Sequence, residues 1–440
     1  MVLDKNEVEK LMSEDKLDMA DFLFSDFDDI FDKTSYYSMY KDALIKEGYW
    51  TWERVHYPDK KWGLIENIYT HQKTKVINFS SMSYLGINFH PILIERCKKA
   101  IEKYGLSSTS AAMLDGITDL HLKAEARLAE FLGFEDSILF SSGYACMLGT
   151  TQGLLLNPKA AVVYDEYSHS SLQDGIKLAS ARRYIYKHND LNDLEQKLIQ
   201  ASKHSQKLLL TEGVFSIVGD IPEIAKIISL AKKYNFRVMI DDAHGIGVLG
   251  KTGKGIIEEF SLKDVDIYSA VLSKAFGLTG GFTCSKKSVT DFLRLYSNPV
   301  IASSNVSPVF CEGILAVIDI LESEPNHIKD LSNNIVYMRK MLADLNFPLE
   351  KAAVPIFCIP IGDATKLRKV SRFFYDNSIL IHPIPYPRAP KGRGCIRFCL
   401  NANNTKEEID IFIQILKIAN DKFSLFNDGL FQVDRDEVHV

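Results

Sequence analysis

The chain has 440 residues, 46% of them hydrophobic and 25% charged, with a net charge of −5. That length exceeds one small core and predicts a large domain plus a smaller one, while the composition is that of a globular protein with no basic surplus for nucleic acid. No apolar run approaches the roughly 20 residues of a membrane helix, residues 1–14 lack a signal peptide's apolar stretch, and the seven scattered cysteines form no CxxC pair, so a cytoplasmic protein without a disulfide framework is expected.

Residues 1–75 read as an N-terminal arm. The acidic segment 18–33 carries Phe22, Phe24, Phe27, Ile30 and Phe31, one apolar stripe on an expected helix. It packs on the body or on a second subunit, or else docks a partner. Trp50, Trp52 and Trp62 precede a hairpin-like stretch at 63–79. A large domain is expected over 76–305. Within it, from about 130 to 285, short apolar runs recur at 137–140, 161–164, 207–210, 237–240 and 267–272, separated by helical stretches such as 191–202 and 223–234. This alternation predicts an α/β fold, a mostly parallel sheet covered by helices. After Pro308 a long helix runs through 314–321. Strand, helix, strand, strand and helix follow at 354–360, 364–377, 379–383, 394–400 and 406–422. They predict a small C-terminal α/β domain over 306–425, with a tail at 426–440. Cys395 and Cys399 flank a strand-like run and read as packed thiols.

In such a sheet the site lies at the carboxyl ends of the strands. Ser-Ser-Gly-Tyr-Ala at 141–145 follows the first run and opens a helix, where the backbone N–H groups of Gly143 and Tyr144 suit a phosphate. His169 follows the second run and can stack on a flat ring. Ser216, after the third, can donate to a phenolate oxygen. Asp241 ends the fourth run within Asp-Asp-Ala-His-Gly, with His244 three residues on. The glycines at 245, 247, 250, 253 and 255 point to close backbone packing rather than a dinucleotide fingerprint. Lys274 follows the fifth run in Ser-Lys-Ala-Phe-Gly-Leu-Thr-Gly-Gly, about thirty residues after Asp241. Each element alone also fits an ordinary turn, cap or loop residue. Together they form the pair that pyridoxal phosphate requires: an amine for its aldehyde and an acid for its ring nitrogen.

With these residues the chain resembles the α-oxoamine synthases, fold-type I pyridoxal phosphate enzymes, over roughly residues 76–420. The resemblance rests on Tyr84-Leu85-Gly86, His90-Pro91, His121 with 125–129, Ser142-Gly143-Tyr144, 168–172, 212–216, 241–245, 250–255, 273–281 and Arg397. It implies a decarboxylative condensation of a small amino acid with an acyl thioester, on coenzyme A or an acyl carrier protein, giving an α-aminoketone. By the same resemblance Lys274 is the Schiff-base lysine and moves the α-proton, His169 stacks on the ring, Asp241 pairs with its nitrogen, and His244 and Ser216 bracket its oxygen. Gly143 and Tyr144 hold the phosphate, Arg397 clamps the substrate carboxylate, and Met82 lies close to the substrate. A homodimer with a shared site is implied, Ser303 and Ser304 reaching the neighbouring subunit's phosphate.

Three positions depart from the family pattern: Met82 in place of Asn, Ala112 in place of Arg, and Val271 where a hydroxyl residue is frequent. The segment 250–255 with Asp264-Val265-Asp266 looks most like serine palmitoyltransferase, which favours a sphingolipid-like long-chain base synthase using serine or cysteate. Alternatives are 8-amino-7-oxononanoate synthase, glycine C-acetyltransferase, 5-aminolevulinate formation and a secondary-metabolite ketoamine. An aminotransferase or aldolase of the same fold is a further reading. A non-catalytic scaffold subunit is disfavoured by the presence of Lys274.

Overall fold

A computed structural model describes residues 29–46, 54–57, 61, 63–385, 388–389 and 392–426, with isolated positions 6, 10, 22 and 27 before them. The strands are β1 (Arg54–Tyr57), β2 (Leu64–Asn67), β3 (Lys73–Lys75), β4 (Ile77–Asn78), β5 (Asp136–Phe140), β6 (Ala160–Asp165), β7 (Arg182–Tyr186), β8 (Gln206–Glu212), β9 (Arg237–Asp241), β10 (Ile267–Val271), β11 (Gly281–Ser285), β12 (Ile356–Gly362), β13 (Ile379–Leu380), β14 (His382–Ile384) and β15 (Gly394–Cys399).

Seven of them form the central sheet, in the order β5-β11-β10-β9-β8-β6-β7. The five apolar runs seen in the sequence are β5, β6, β8, β9 and β10. Strands β6 to β10 pair in parallel, and β11 runs antiparallel between β5 and β10. Strands β6 and β10 are buried along their whole length, as helix-covered strands must be, so they read as continuous apolar runs rather than alternations. The helices Gly143–Leu154, Ser170–Leu178, Leu191–Ala201 and Ile224–Lys233 connect them. Two strands escape the periodicity reading. In β7, Arg182 and Arg183 are exposed on the sheet's edge, which masks its apolar signal. β11 begins at Gly281, directly after the lysine loop.

The C-terminal elements follow the expected order, with one more helix. Pro308–Ser323 is followed by a second helix, Asn326–Asp344, before β12. Strands β12, β15 and β14 make an antiparallel sheet. The run at 379–383 splits between two sheets: β13 pairs with β4, and β14 pairs with β15. Arg397 sits mid-strand in β15, opposite Cys358 and His382. Cys395 and Cys399 are buried free thiols, as the sequence suggests.

The arm departs from expectation. Its helix is Ile30–Lys46, beginning near the end of the acidic segment. The stripe is not shared, because Phe22 is buried against Tyr37 and Tyr40 while Ile30 and Phe31 are exposed. Phe24 and the three tryptophans lie outside the described residues. The hairpin-like stretch at 63–79 does hold an antiparallel pair, β2-β3, to which β1 adds a third strand.

Candidate active site

Parallel pairing sets acidic side chains side by side at the carboxyl ends of the central strands. Glu212 closes β8 and is the register partner of Asp241, which closes β9. Both are buried, at 2% and 4% exposure. Burial pushes the carboxyl of Glu212 well up, and the charge of Asp241 adds to the rise. Glu212 Oε1 accepts the N–H of His169 at 2.6 Å, tying the ends of β8 and β6 together. Asp241 Oδ1 accepts the N–H of Ala243 at 3.0 Å. Burial lifts Asp241 to about 6, and the nearby Lys274 ammonium works in the other direction. Asp242 faces the opposite side of the strand end. It accepts from Ile256 N–H at 2.8 Å and from the Tyr268 hydroxyl at 2.7 Å, so it anchors the loop that follows rather than the site.

Lys274 lies within electrostatic reach of this acidic floor. Burial drags its amine down to about 8, against the opposing pull of Asp241 and Glu212. No described residue forms a hydrogen bond or ion pair with that amine. Its loop is seated by Gly247 at φ +73°, where a Cβ would come within 2.6 Å of Ala275 Cβ. The glycines noted in the sequence therefore do serve close backbone packing.

Two imidazoles share the pocket. His169 caps the helix Ser170–Leu178, its Nδ1 2.7 Å from Ser171 Oγ. Burial, then the charges of Lys274 and Arg397, bring it down to about 4. His244 is lowered well below the usual histidine range by burial, then by the charges of Lys274 and Arg397. Its Nδ1 lies 2.7 Å from the Tyr84 hydroxyl. Both rings are therefore neutral at physiological pH. Arg397 donates through Nη1 to the Ser216 carbonyl at 2.9 Å, and its Nη2 lies 3.6 Å from Met82 Sδ. Its Nε is buried without a partner. Among the residues singled out in the sequence, Lys274, His169, Asp241, His244, Ser216, Arg397 and Met82 thus come together.

Gly143 and Tyr144 open the helix Gly143–Leu154, which Ser142 caps by accepting Ala145 N–H at 3.0 Å. No described residue accepts from the N–H of Gly143 or Tyr144. A Cβ at Gly143 would lie 2.3 Å from Val271 Cγ1, so the last residue of β10 abuts the helix start. Ser303 and Ser304 stand apart from this cluster. Ser303 Oγ donates to the Pro299 carbonyl at 2.5 Å, and Ser304 bridges Ala111.

A family model for aminotransferase class I and II matches residues 74–416. The chain is 35% identical over 375 residues to 8-amino-7-oxononanoate synthase of Thermosipho melanesiensis, covering 85% of this chain and 94% of that one. The chain belongs to the α-oxoamine synthase family. Its fold is that of the solved members. A serine palmitoyltransferase variant from S. paucimobilis with bound pyridoxal phosphate and myriocin superposes with a TM-score of 0.83 at 25% identity, covering 90% of this chain and 99% of that one. The 8-amino-7-oxononanoate synthase of Francisella tularensis superposes at 0.69 with 27% identity, covering 79% and 98%. This α-oxoamine synthase is therefore a fold-type I enzyme of a pyridoxal phosphate-dependent acyltransferase family.

The residues fit that cofactor. Among the described residues, the Lys274 amine has no hydrogen-bond or ion-pair partner, a carboxylate within its electrostatic reach is held by a single backbone donor, and a helix start offers N–H groups that none of those residues accepts. Glu212 and Tyr84 are the members of the cluster to which the sequence assigns no role. Both lie inside recognised motifs. The signal for Glu212 is an acid at the same strand-end register as Asp241. No sequence signal brings Tyr84 to His244, 160 residues away.

Proposed function

We propose that this α-oxoamine synthase joins a small α-amino acid to an acyl thioester, carried on coenzyme A or an acyl carrier protein, with loss of CO₂. The observation that carries the proposal is the buried, unpaired Lys274 amine facing Asp241, with the Arg397 guanidinium close enough to influence it. Pyridoxal phosphate, when bound, supplies the electron sink for the amino acid's α-carbon.

The chain's own residues do the rest. Asp241 would hold the ring nitrogen, whose positive charge would offset the cost of burying its carboxylate. His169 would lie against the ring face. Being neutral, it adds no repulsion toward a cationic ring. His244, held by Tyr84, would flank the ring oxygen with Ser216. Gly143 and Tyr144 donate backbone N–H groups to the phosphate. Lys274 Nζ, with its proton affinity reduced to about 8, takes and returns a proton at the α-carbon. Arg397 presents its unpartnered Nε and one Nη to the substrate carboxylate, a two-point contact that fixes the C–H bond against the ring. Met82 narrows the space beside that guanidinium. Ser303 and Ser304 reach the phosphate of a second copy in a homodimer.

Of the finer readings, 8-amino-7-oxononanoate synthesis has the better support. A relative of that name is similar over nearly its full length, whereas the solved serine palmitoyltransferase is less alike in sequence and speaks chiefly to fold. The product's structure requires alanine and a seven-carbon acyl chain ending in a carboxylate. The long-chain base reading, with serine or cysteate, is the alternative.

The deciding experiment offers the purified enzyme glycine, alanine, serine and cysteate, each with the seven-carbon carboxyacyl or the palmitoyl thioester. Labelled CO₂ release and the aminoketone mass are measured. Alanine with the seven-carbon donor should be the productive pair. Serine or cysteate with palmitoyl thioester as the productive pair would establish the alternative, and no CO₂ release from any pair would overturn the condensation itself. Arg397→Ala should raise KM for the amino acid about 10- to 100-fold, the range for hydrogen bonds to a charged group. Arg397→Lys should not restore it, because a point charge cannot make the two-point contact. An unchanged KM would remove Arg397 from the carboxylate.

A further inference from the structure

Away from the acidic floor, three side chains from separate elements converge at one point. His90 precedes the helix Pro91–Tyr104, Glu324 ends the helix Pro308–Ser323, and His327 lies in the first turn of Asn326–Asp344. One ligand atom from each lies within 4.8 Å of the other two. Glu324 Oε2 is 3.2 Å from His90 Nε2 and 3.7 Å from His327 Nε2. The second distance is beyond a hydrogen bond, so hydrogen bonding alone leaves the triangle incomplete. His90 Nδ1 is buried without a hydrogen-bond partner among the described residues, and its ring meets that of His327 edge-on at 5.6 Å.

We propose that His90, Glu324 and His327 form a binding site for a divalent transition-metal ion, zinc above all. Two imidazoles and a carboxylate are a zinc ligand set, and the hard oxygen-only cations have no use for the imidazoles. Tetrahedral bonds of about 2.0–2.2 Å set ligand atoms about 3.3–3.6 Å apart. The 3.2 Å His90–Glu324 and 3.7 Å His327–Glu324 separations bracket that range, and small rotations of the two rings complete the triangle. The side chains are 13%, 39% and 23% exposed for His90, Glu324 and His327, which leaves an entry path and a fourth position for water.

The ion would staple three segments that frame the active site. Asn88, two residues before His90, lies where a Cβ at Gly277 would meet its Cβ at 2.8 Å, so it packs against the lysine loop. Ile328, next to His327, packs in the same way on Gly253 in the loop after His244, its Cδ1 2.9 Å from such a Cβ. Metal binding at this point therefore stiffens both loops without touching Lys274.

The test uses the full-length holoenzyme, stripped with a chelator, freed of excess cofactor and given zinc chloride alone. Zinc per chain is measured after gel filtration, and melting temperature is followed with and without the ion. One zinc per chain and a higher melting temperature are expected. Both should be lost in His327→Asn and Glu324→Gln, each checked for folding by circular dichroism, and retained in His71→Asn, which alters an exposed histidine elsewhere. Absence of stoichiometric zinc in the wild type overturns the proposal. So does zinc that persists equally in His327→Asn and Glu324→Gln, which would mark adventitious surface binding.

Discussion

An ammonium loses hydration when Lys274 is buried, and the two neighbouring carboxylates return only part of it, so the amine sheds its proton near pH 8 rather than above 10. The neutral amine is the nucleophile, and a lowered value makes it available at lower pH. Uptake of pyridoxal phosphate by the apoprotein, followed by near-visible absorbance, should therefore accelerate with rising pH through a midpoint near 8. A midpoint above 10 would show that the acidic floor and the burial do not act on this amine. Val271 makes a second residue-scale test. Its methyl abuts Gly143 where the family often keeps a hydroxyl. Val271→Thr keeps the shape and adds a donor beside the phosphate position, and should tighten cofactor binding about twofold to tenfold, the worth of one hydrogen bond. Gly143→Ala should weaken it by driving a methyl into Val271, and Val271→Ala in the same chain should recover the loss. Additive losses in that double-mutant cycle would refute the contact.

Between elements, a largely buried ion triad lies outside the catalytic residues. His188, just past β7, places Nδ1 2.9 Å from Asp165 at the end of β6 and Nε2 2.9 Å from Asp220 in the loop after Ser216. Its ring stacks on Tyr167 at 4.3 Å. Burial alone would lower this imidazole, but the two carboxylates outweigh it and lift it to about 10. A raised value means its contribution to stability is complete below the ordinary histidine range and is lost as pH rises through 10. His188→Ala should cost about 3–5 kcal/mol by stranding two carboxylates with little water, read by urea unfolding at pH 7. The wild type should lose stability between pH 7 and 10, and the variant should lack that slope. Equal slopes would mean the ion triad is not what holds the Ser216 loop.

Over the whole molecule, the proposed homodimer has a candidate face. Leu106, Met113 and Leu114 are 72%, 57% and 73% exposed on the segment joined to Ser304 through Ala111. An exposed apolar group beside the two serines that should serve another copy's phosphate suits an interface between copies. Leu114→Asp should shift the light-scattering mass from two chains toward one and lower cofactor retention together. A monomeric wild type, or a monomeric variant with undiminished cofactor, would sever the link between assembly and site.

Sequence alone placed the candidate residues at the ends of the central strands. Gly143, His169, Asp241 and Lys274 each follow an apolar run, and buried parallel strands must be apolar along their length, so the ends of those runs mark the site. The alternation failed where the physics differs. The exposed arginines of edge strand β7 hide its pattern, the glycine-led β11 is too near the lysine loop to stand out, and the arm's helix starts near the end of its acidic stretch. Only tertiary structure decided that Glu212 lies beside Asp241, that Tyr84 holds His244, that Arg397 enters from a different sheet with Met82 against it, and that His90 meets Glu324 and His327. Those pairings join residues tens to hundreds of positions apart, and local periodicity carries no information about which distant surfaces the packing of sheet and helices brings into contact.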